Sequence, residues 1–308
     1  MRLSRRTVLA HAVAASSLVC APAFAVEGDG IVATDSVRGR LFVEASIAGR
    51  GPFRFLVDTG ADRTLIAQEV AAALGLRAGA PVIVEGIARS VNAGTVGVER
   101  LTLGPLSFPS LDVPVLPRAM IGADGYLGLD VMDRHRVEFD FKGGTVALLE
   151  PRPPIFGEQP HPDETIIRTQ GASGHLRAVD CRVDGVLARA FLDSGAELSV
   201  GNPPLYAELA SRGAVYAARE PVELTGVTGG TVSGRVVDVG RIGLPGVDFG
   251  STSLVIADLQ IFDLWGLAGK PALFIGMDAL RRFAKVTIDY GRKEYRLEFA
   301  SLAIARLG

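Results

Sequence analysis

The chain has 308 residues, 48% apolar, 21% charged and 6% aromatic, a balance that excludes disordered, collagen-like and polytopic membrane classes. Its 32 basic and 34 acidic residues leave a formal charge of -2, so no basic field exists to hold nucleic acid. With 37 Gly, 17 Pro and many valine runs, short strands joined by tight turns are expected in place of a helical bundle.

In chain order, residues 1–25 read as an export signal. Arg2, Arg5 and Arg6 make a basic start, Val8 to Val19 is apolar, and Ala23-Phe24-Ala25 is a small-residue cleavage site. Ser4-Arg5-Arg6-Thr7-Val8-Leu9 is similar to a twin-arginine signal, with Val8 where that pattern prefers an aromatic, so both export routes stay open. Either route leads to the periplasm or outside. The apolar stretch is shorter than the roughly 20 residues that span a bilayer, so no membrane span is expected once it is removed. Cleavage takes away three Arg and no acid, leaving a mature chain at -5. Cys20 leaves with the signal, and Val19 before it is too large for a lipoprotein site.

Residues 26–150 are expected to form a first lobe. Leu41, Val43 and Ala45 alternate as a strand does, as do Leu111, Val113 and Val115. Ile66 to Leu76 has helical spacing and ends at Gly75, and Leu129 to His135 follows a glycine turn as a second short helix. Glu150-Pro151-Arg152-Pro153-Pro154 then opens a polar, Pro-bearing linker, 151–165. Residues 166–308 form the second lobe, with a strand from Leu176 to Val183 and helices at Leu205 to Ser211 and Met277 to Phe283.

Several chemistries are excluded along the way. Cys181 is alone after signal removal, which rules out an intrachain disulfide framework and leaves a small buried side chain as its reading. His11, His135, His161 and His175 lack ligand spacing, so no metal and no cofactor is expected. Gly171-Ala172-Ser173-Gly174 lacks the spacing of a nucleophile elbow, and no phosphate-binding loop occurs.

A long, weak repeat organises the chain. Phe55-Leu56-Val57-Asp58-Thr59-Gly60-Ala61 matches Ala190-Phe191-Leu192-Asp193-Ser194-Gly195-Ala196, 135 positions later. Pro81 to Ile87 matches Pro221 to Val227, Leu103 matches Leu244, Tyr126 to Asp130 matches Phe274 to Asp278, and Phe139 to Phe141 matches Ile288 to Tyr290. The offset grows from 135 to 149 and never shrinks, as a duplication with insertions in its second copy requires.

Each Asp motif drives an apolar strand's carboxylate into a dry place, and the following Gly lets the chain turn so that backbone N–H groups face it. If the two loops meet, Asp58 and Asp193 lie side by side. Two carboxylates that close share one proton. The ionised member can then take a proton from water while the protonated one polarises a carbonyl, which hydrolyses an amide without metal or covalent nucleophile.

On these motifs the sequence resembles the retropepsin and pepsin class of aspartic proteases, with Asp58-Thr59-Gly60-Ala61-Asp62-Arg63-Thr64 very like the retropepsin signature. The resemblance implies a mostly β fold of two related acid-protease β-barrel lobes in a pseudo-twofold arrangement with a few short helices, acting as a monomer on peptides or unfolded protein. It implies Asp58 and Asp193 as the catalytic pair, supported by Thr59, Gly60, Ser194 and Gly195, with Ala61, Asp62, Ala196 and Glu197 facing substrate. It also implies two flaps, carrying Gly86 and Ile87 in one and Gly226 and Val227 in the other.

Departures are equally specific. Retropepsins place an Arg after their late Gly, to pair with the acid after Asp-Thr-Gly-Ala; here Leu129 and Met277 stand there. Asp62 and Glu197 then face substrate or pair with Arg63, Arg134 or Arg282. Asp130 and Asp278 read as acids at helix starts, and Asp140 and Asp289 as strand or turn acids. Trp265, in the longest insertion of the second copy, either lines the cleft or covers a core edge. Ala61 and Ala196 replace a hydroxyl that in pepsins donates to the ionised carboxylate, so a mild-acid to near-neutral optimum is expected. Only about 15 residues separate the signal from the first repeated strand, too few for a pepsin-sized propeptide. Two other classes compete: a non-catalytic module that binds peptides or an envelope protein in the same cleft, and a homo-oligomer whose lobes serve assembly.

Overall fold

The structure, a computed structural model, describes residues 33–37, 39–151, 161–171, 176–214 and 219–300. The export signal, most of the linker, Ala172-Ser173-Gly174 and His175 lie outside the described residues.

The first half runs β1 (Ala33–Val37), β2 (Arg40–Ile47), β3 (Arg50–Val57) and β4 (Leu65–Ala67), which leads straight into α1 (Gln68–Leu74). A hairpin of β5 (Val82–Val84) and β6 (Val91–Ala93) precedes β7 (Thr95–Leu103), β8 (Leu106–Leu116), α2 (Arg118–Ile121), β9 (Gly125–Leu127), α3 (Leu129–Met132), β10 (Arg136–Asp140) and β11 (Thr145–Leu149). Six strands in the order β2-β3-β9-β4-β8-β7, with β7 pairing back to β2, close a barrel. Closure leaves those strands no free edge and turns their apolar side chains inward.

The second half runs β12 (Glu164–Gln170), β13 (Arg177–Val183), β14 (Val186–Leu192), β15 (Val200–Gly201), α4 (Pro203–Ser211), β16 (Val222–Thr225), β17 (Thr231–Val239), β18 (Ile242–Leu244) and β19 (Val247–Asp248). It ends with β20 (Thr252–Ile256), α5 (Gln260–Leu264), β21 (Ala272–Ile275), α6 (Met277–Leu280), β22 (Phe283–Asp289) and β23 (Glu294–Phe299). Its pairings follow the first half. β3 runs parallel to β9 with Leu56 opposite Tyr126, and β14 runs parallel to β21 with Phe191 opposite Phe274. β4 lies antiparallel to β9 and parallel to β8, as β15 does to β21 and β20. β18 pairs with β13 where the end of β7 pairs with β2.

The halves also share a sheet. β10 pairs with β22, giving a sheet β11-β10-β22-β23-β12 with strands from both halves, and Lys285 reaches Glu138 at 2.8 Å across it. Val137, Phe139, Val286 and Ile288 belong to the same buried cluster as the barrel of the first half and the sheet of the second, so one core runs through the joint. Cys181 is buried on β13, where burial pushes its thiol up to about 12.

Helix boundaries differ from those the sequence spacing gives. Leu65, Ile66 and Ala67 are fully buried as a strand between β8 and β9, so α1 begins at Gln68; its end at Gly75, with φ 64°, is where the sequence puts it. α3 and α6 are single turns, because β10 and β22 take over at Arg136 and Phe283. α4 begins two residues before Leu205, where Asn202 accepts from the Leu205 amide at 3.1 Å. The sequence reading has no counterpart of α2 or α5.

Candidate active site

Asp58 follows directly on β3 and Asp193 on β14, each after three buried apolar residues. Their amides stay in the sheet, donating to Leu127 O at 3.1 Å and Ile275 O at 3.0 Å, which fixes where each carboxylate emerges. The chain then turns back on it. Gly60 N–H donates to Asp58 Oδ1 at 2.9 Å, while Gly195 and Ala196 N–H donate to Asp193 Oδ1 at 2.9 and 3.2 Å. The glycines also bring the loops together. A Cβ on Gly60 would lie 2.9 Å from Asp193 Oδ1, and one on Gly195 would lie 2.5 Å from Asp58 Oδ1. Each loop therefore packs its backbone against the other's carboxylate.

Beneath them Thr59 and Ser194, both buried, exchange hydrogen bonds. Thr59 N–H donates to Ser194 Oγ at 3.1 Å and Ser194 N–H to Thr59 Oγ1 at 3.0 Å; the hydroxyls donate onward to Leu192 O at 3.1 Å and Val57 O at 2.8 Å. Each hydroxyl accepts from one half and donates back to it, so four bonds cross the floor of the cleft.

A second pair of hydroxyls supports each loop, and sequence reasoning missed it. Thr64 Oγ1 donates to Asp130 Oδ1 and Ser199 Oγ to Asp278 Oδ1, both at 2.7 Å, while each hydroxyl accepts the Gly128 or Gly276 amide at 3.1 Å. Asp130 and Asp278 do sit in the first turns of α3 and α6, but they also tie those turns to the Asp loops. The signal was present: a hydroxyl residue follows each Asp by six positions. Gly128 and Gly276 pass so close to Arg63 and Leu198 that a Cβ would lie 2.3 and 2.6 Å from backbone carbons. Below them Leu129 N–H reaches Ala61 O at 2.8 Å, and Met277 N–H reaches Ala196 O at 2.9 Å.

Burial and the neighbouring Asp193 push the Asp58 carboxyl up to about 7, against the pull of the Gly60 amide, Arg40 and the Ala61 amide. Arg40, at the start of β2, is also the partner of Glu197, at 3.6 Å. For Glu197, Arg40 thus stands where Arg63, Arg134 or Arg282 was expected. Arg63 instead donates to Asp112 O at 2.9 Å, and β2 brings Arg40 to the second loop through contacts that no sequence spacing reports. Asp62 is exposed at the outer end of the first loop.

Gly86 and Ile87 lie at the tip between β5 and β6, and Gly226 and Val227 at the tip between β16 and β17. The tips meet. Arg89 Nε donates to Thr228 O at 3.0 Å and Thr228 Oγ1 donates to Arg89 O at 2.8 Å, with Thr228 fully buried. Gly86 faces Thr228 and Gly226 faces Ile87 too closely for any side chain. The first tip is also held from the side, by Gln260 N–H to Ile87 O at 2.8 Å.

Beside the floor on the second half's side lies a hollow lined by Thr59, Gly60, Phe191, Asp193, Phe274 and Trp265 and closed from within by the buried Leu176, Leu192, Ile288, Tyr290 and Tyr295. Trp265 therefore faces the cleft and also packs on the aromatic cluster beside it. Among the described residues no group of three or more His, Cys, Asp and Glu could hold a metal ion, and no helix is long and apolar enough to cross a membrane.

No curated protein matches the chain. Residues 43–131 match the family model described as Aspartyl protease, a span that runs from β2 to α3 and includes the first Asp loop. That match, on a mostly β chain with a closed six-strand barrel and two Asp loops packed on each other, supports a retropepsin-like aspartic protease.

Proposed function

We propose that this is an exported, single-chain aspartic endopeptidase whose two lobes, 26–150 and 166–308, derive from one duplicated unit and each contribute one catalytic Asp. The observation that carries this reading is the packing of each loop glycine against the opposite carboxylate, which sets Asp58 and Asp193 together at the floor of one cleft. A raised Asp58 keeps one proton on the pair up to about pH 7.

The chemistry follows from that shared proton, written here on Asp58. Ionised Asp193 takes a proton from a water whose oxygen attacks the scissile carbonyl carbon, and Asp58 gives its proton to the carbonyl oxygen. The result is a neutral gem-diol, with the proton now on Asp193. On collapse, Asp58 recovers a proton from one gem-diol hydroxyl and Asp193 protonates the departing nitrogen as the C–N bond breaks. Amine and carboxylic acid leave with the pair restored. The paired tips over the cleft exclude bulk water and hold an extended peptide, with Ile87 and Val227 against its apolar side chains and Ala61, Asp62, Ala196 and Glu197 along its backbone.

The test is cleavage of a denatured protein by the purified protein between pH 4 and 8, beside Asp58→Asn and Asp193→Asn, with and without a statine-type transition-state inhibitor. The expected result is cleavage by wild type only, blocked by the inhibitor and declining as pH rises through about 7. Optimal cleavage well below pH 4, or variants as active as wild type, would overturn it. Wild type and variants equally inert yet binding peptides would make the cleft a receptor.

A further inference from the structure

We propose that the cleft is lopsided, with Trp265 selecting a large apolar side chain on one side of the scissile bond only; this deepens the endopeptidase reading and rests on it. Phe191 and Phe274 pair across β14 and β21 beside Asp193, where the first half places Leu56 and Tyr126 across β3 and β9 beside Asp58. The hydroxyl of Tyr126 is committed to Ile121 O at 2.9 Å, and Arg40 and Glu197 stand on that side as an ion pair. The connection into β9 spans 117–124 and carries the Arg118–Asp124 ion pair at 2.6 Å. Its counterpart into β21 spans 257–271, nearly twice as long, and delivers α5 and Trp265.

That insertion builds an aromatic wall. The Trp265 ring lies 4.9 Å from Phe191 and 5.4 Å from Phe274, and Phe262 backs Phe274 at 4.9 Å. Together they form a cluster separate from the main core, with Ile87 of the first tip packed on it. The wall continues into a hollow that Asp193 and Gly60 line on one side and the buried Ile288, Tyr290 and Tyr295 close on the other, so a side chain that enters it past Asp193 and Gly60 belongs to a residue beside the Asp pair. The free space in that hollow is about 10 Å³, the room of one water. Entry of a ring or a branched apolar chain therefore requires Trp265 to part from Phe191 and Phe274 and close on the newcomer. Its flat face is suited to that, because edge and offset contacts with rings add to the gain from burial.

Trp265 is the chain's one tryptophan, so its emission reports on this wall alone. The experiment titrates the purified protein with three peptides of one sequence, whose scissile bond is replaced by a reduced amide. They carry Phe-Ala, Ala-Phe or Ala-Ala at the two flanking positions, and the same peptides displace a dye-labelled inhibitor from Trp265→Ala and Trp265→Phe. One of the two Phe peptides is expected to shift the emission and bind about tenfold or more tighter than Ala-Ala, with the other close to Ala-Ala. Trp265→Ala should lose that gap, and Trp265→Phe should keep most of it. Phe peptides that bind alike in both orientations, or a gap that survives Trp265→Ala, would overturn the proposal. If no substrate is cleaved but the one-sided gap is present, hydrolysis fails and the selective wall stands; if cleavage occurs without a gap, the wall fails alone.

Discussion

The amide of Thr59 donates to the hydroxyl of Ser194 and the amide of Ser194 donates to the hydroxyl of Thr59, so neither Asp loop can shift without breaking bonds to the other. Thr59→Ala would leave the Ser194 amide and Leu192 carbonyl without these partners in a buried place. The expected cost is about 2–4 kcal/mol of stability, measured by urea unfolding, with a loss of peptidase activity beyond what the unfolded fraction explains. Thr59→Ser keeps the oxygen and should restore most of both. A Thr59→Ala protein as stable as wild type would show that these bonds do not hold the loops.

Gly195 is expected to be less tolerant still, for a steric reason. The methyl of Gly195→Ala would sit 2.5–2.6 Å from the Asp58 carboxylate atoms, so either the carboxylate or the loop must move. A displacement of that size at reacting groups costs about a hundredfold in rate. Circular dichroism should report a folded protein, while kcat falls at least that far. Near-normal kcat would mean that the Asp58 carboxylate does not act from the position seen here.

The raised Asp58 carboxyl also sets a pH dependence of stability. Below about pH 4 the group is protonated both folded and unfolded and contributes nothing. From pH 4 towards 7 the unfolded chain has released the proton that the folded chain still holds, so folding stability falls as pH rises. Above about 7 the folded carboxyl is ionised and the penalty is complete. Asp58→Asn removes it and should be more stable than wild type at pH 7.5, by about 1–3 kcal/mol, with the gap closing by pH 3.5. Thermal melts of both proteins at the two pH values check this, and a gap independent of pH would refute it.

Much of this arrangement was legible because each Asp loop carries local constraints: an apolar run, an acid, a hydroxyl, a glycine. Those constraints single out Asp58, Thr59 and Gly60 and their matches Asp193, Ser194 and Gly195, while the meeting of the two loops follows in sequence only from the repeat and the family resemblance. Arg40 was not legible as the partner of Glu197, since the two are far apart in the chain and meet only because β2 borders the second loop. Leu65 to Ala67 misled the helix boundary because three buried apolar residues fit a short strand as well as a first helical turn. The β10–β22 pairing was equally hidden, since a strand's apolar pattern fixes its buried face and not its neighbour.

The tips over the cleft differ in how firmly they are held, which predicts an unequal response to cutting their contact. The second tip meets the first through Arg89 and Thr228, while the first is also anchored to α5 by Gln260, through the Ile87 carbonyl at 2.8 Å and a side-chain bond to Ser90 at 2.6 Å. Arg89→Ala removes the guanidinium bond to the Thr228 carbonyl and leaves the Gln260 anchor intact. Hydrogen exchange should then quicken by about threefold to tenfold at Gly226 and Gly229, whose amides bond within the second tip, and change less at Gln260. The release rate of a tight-binding statine inhibitor should rise by a similar factor, because the tips must part for it to leave. Gln260→Ala keeps the backbone bond to Ile87 O but loses the side-chain bonds to Glu85 and Ser90, and should reverse the pattern, loosening 85–90 first. Equal exchange in both tips for both variants would mean that the pair opens as one rigid lid and that α5 has no separate hold on the first tip.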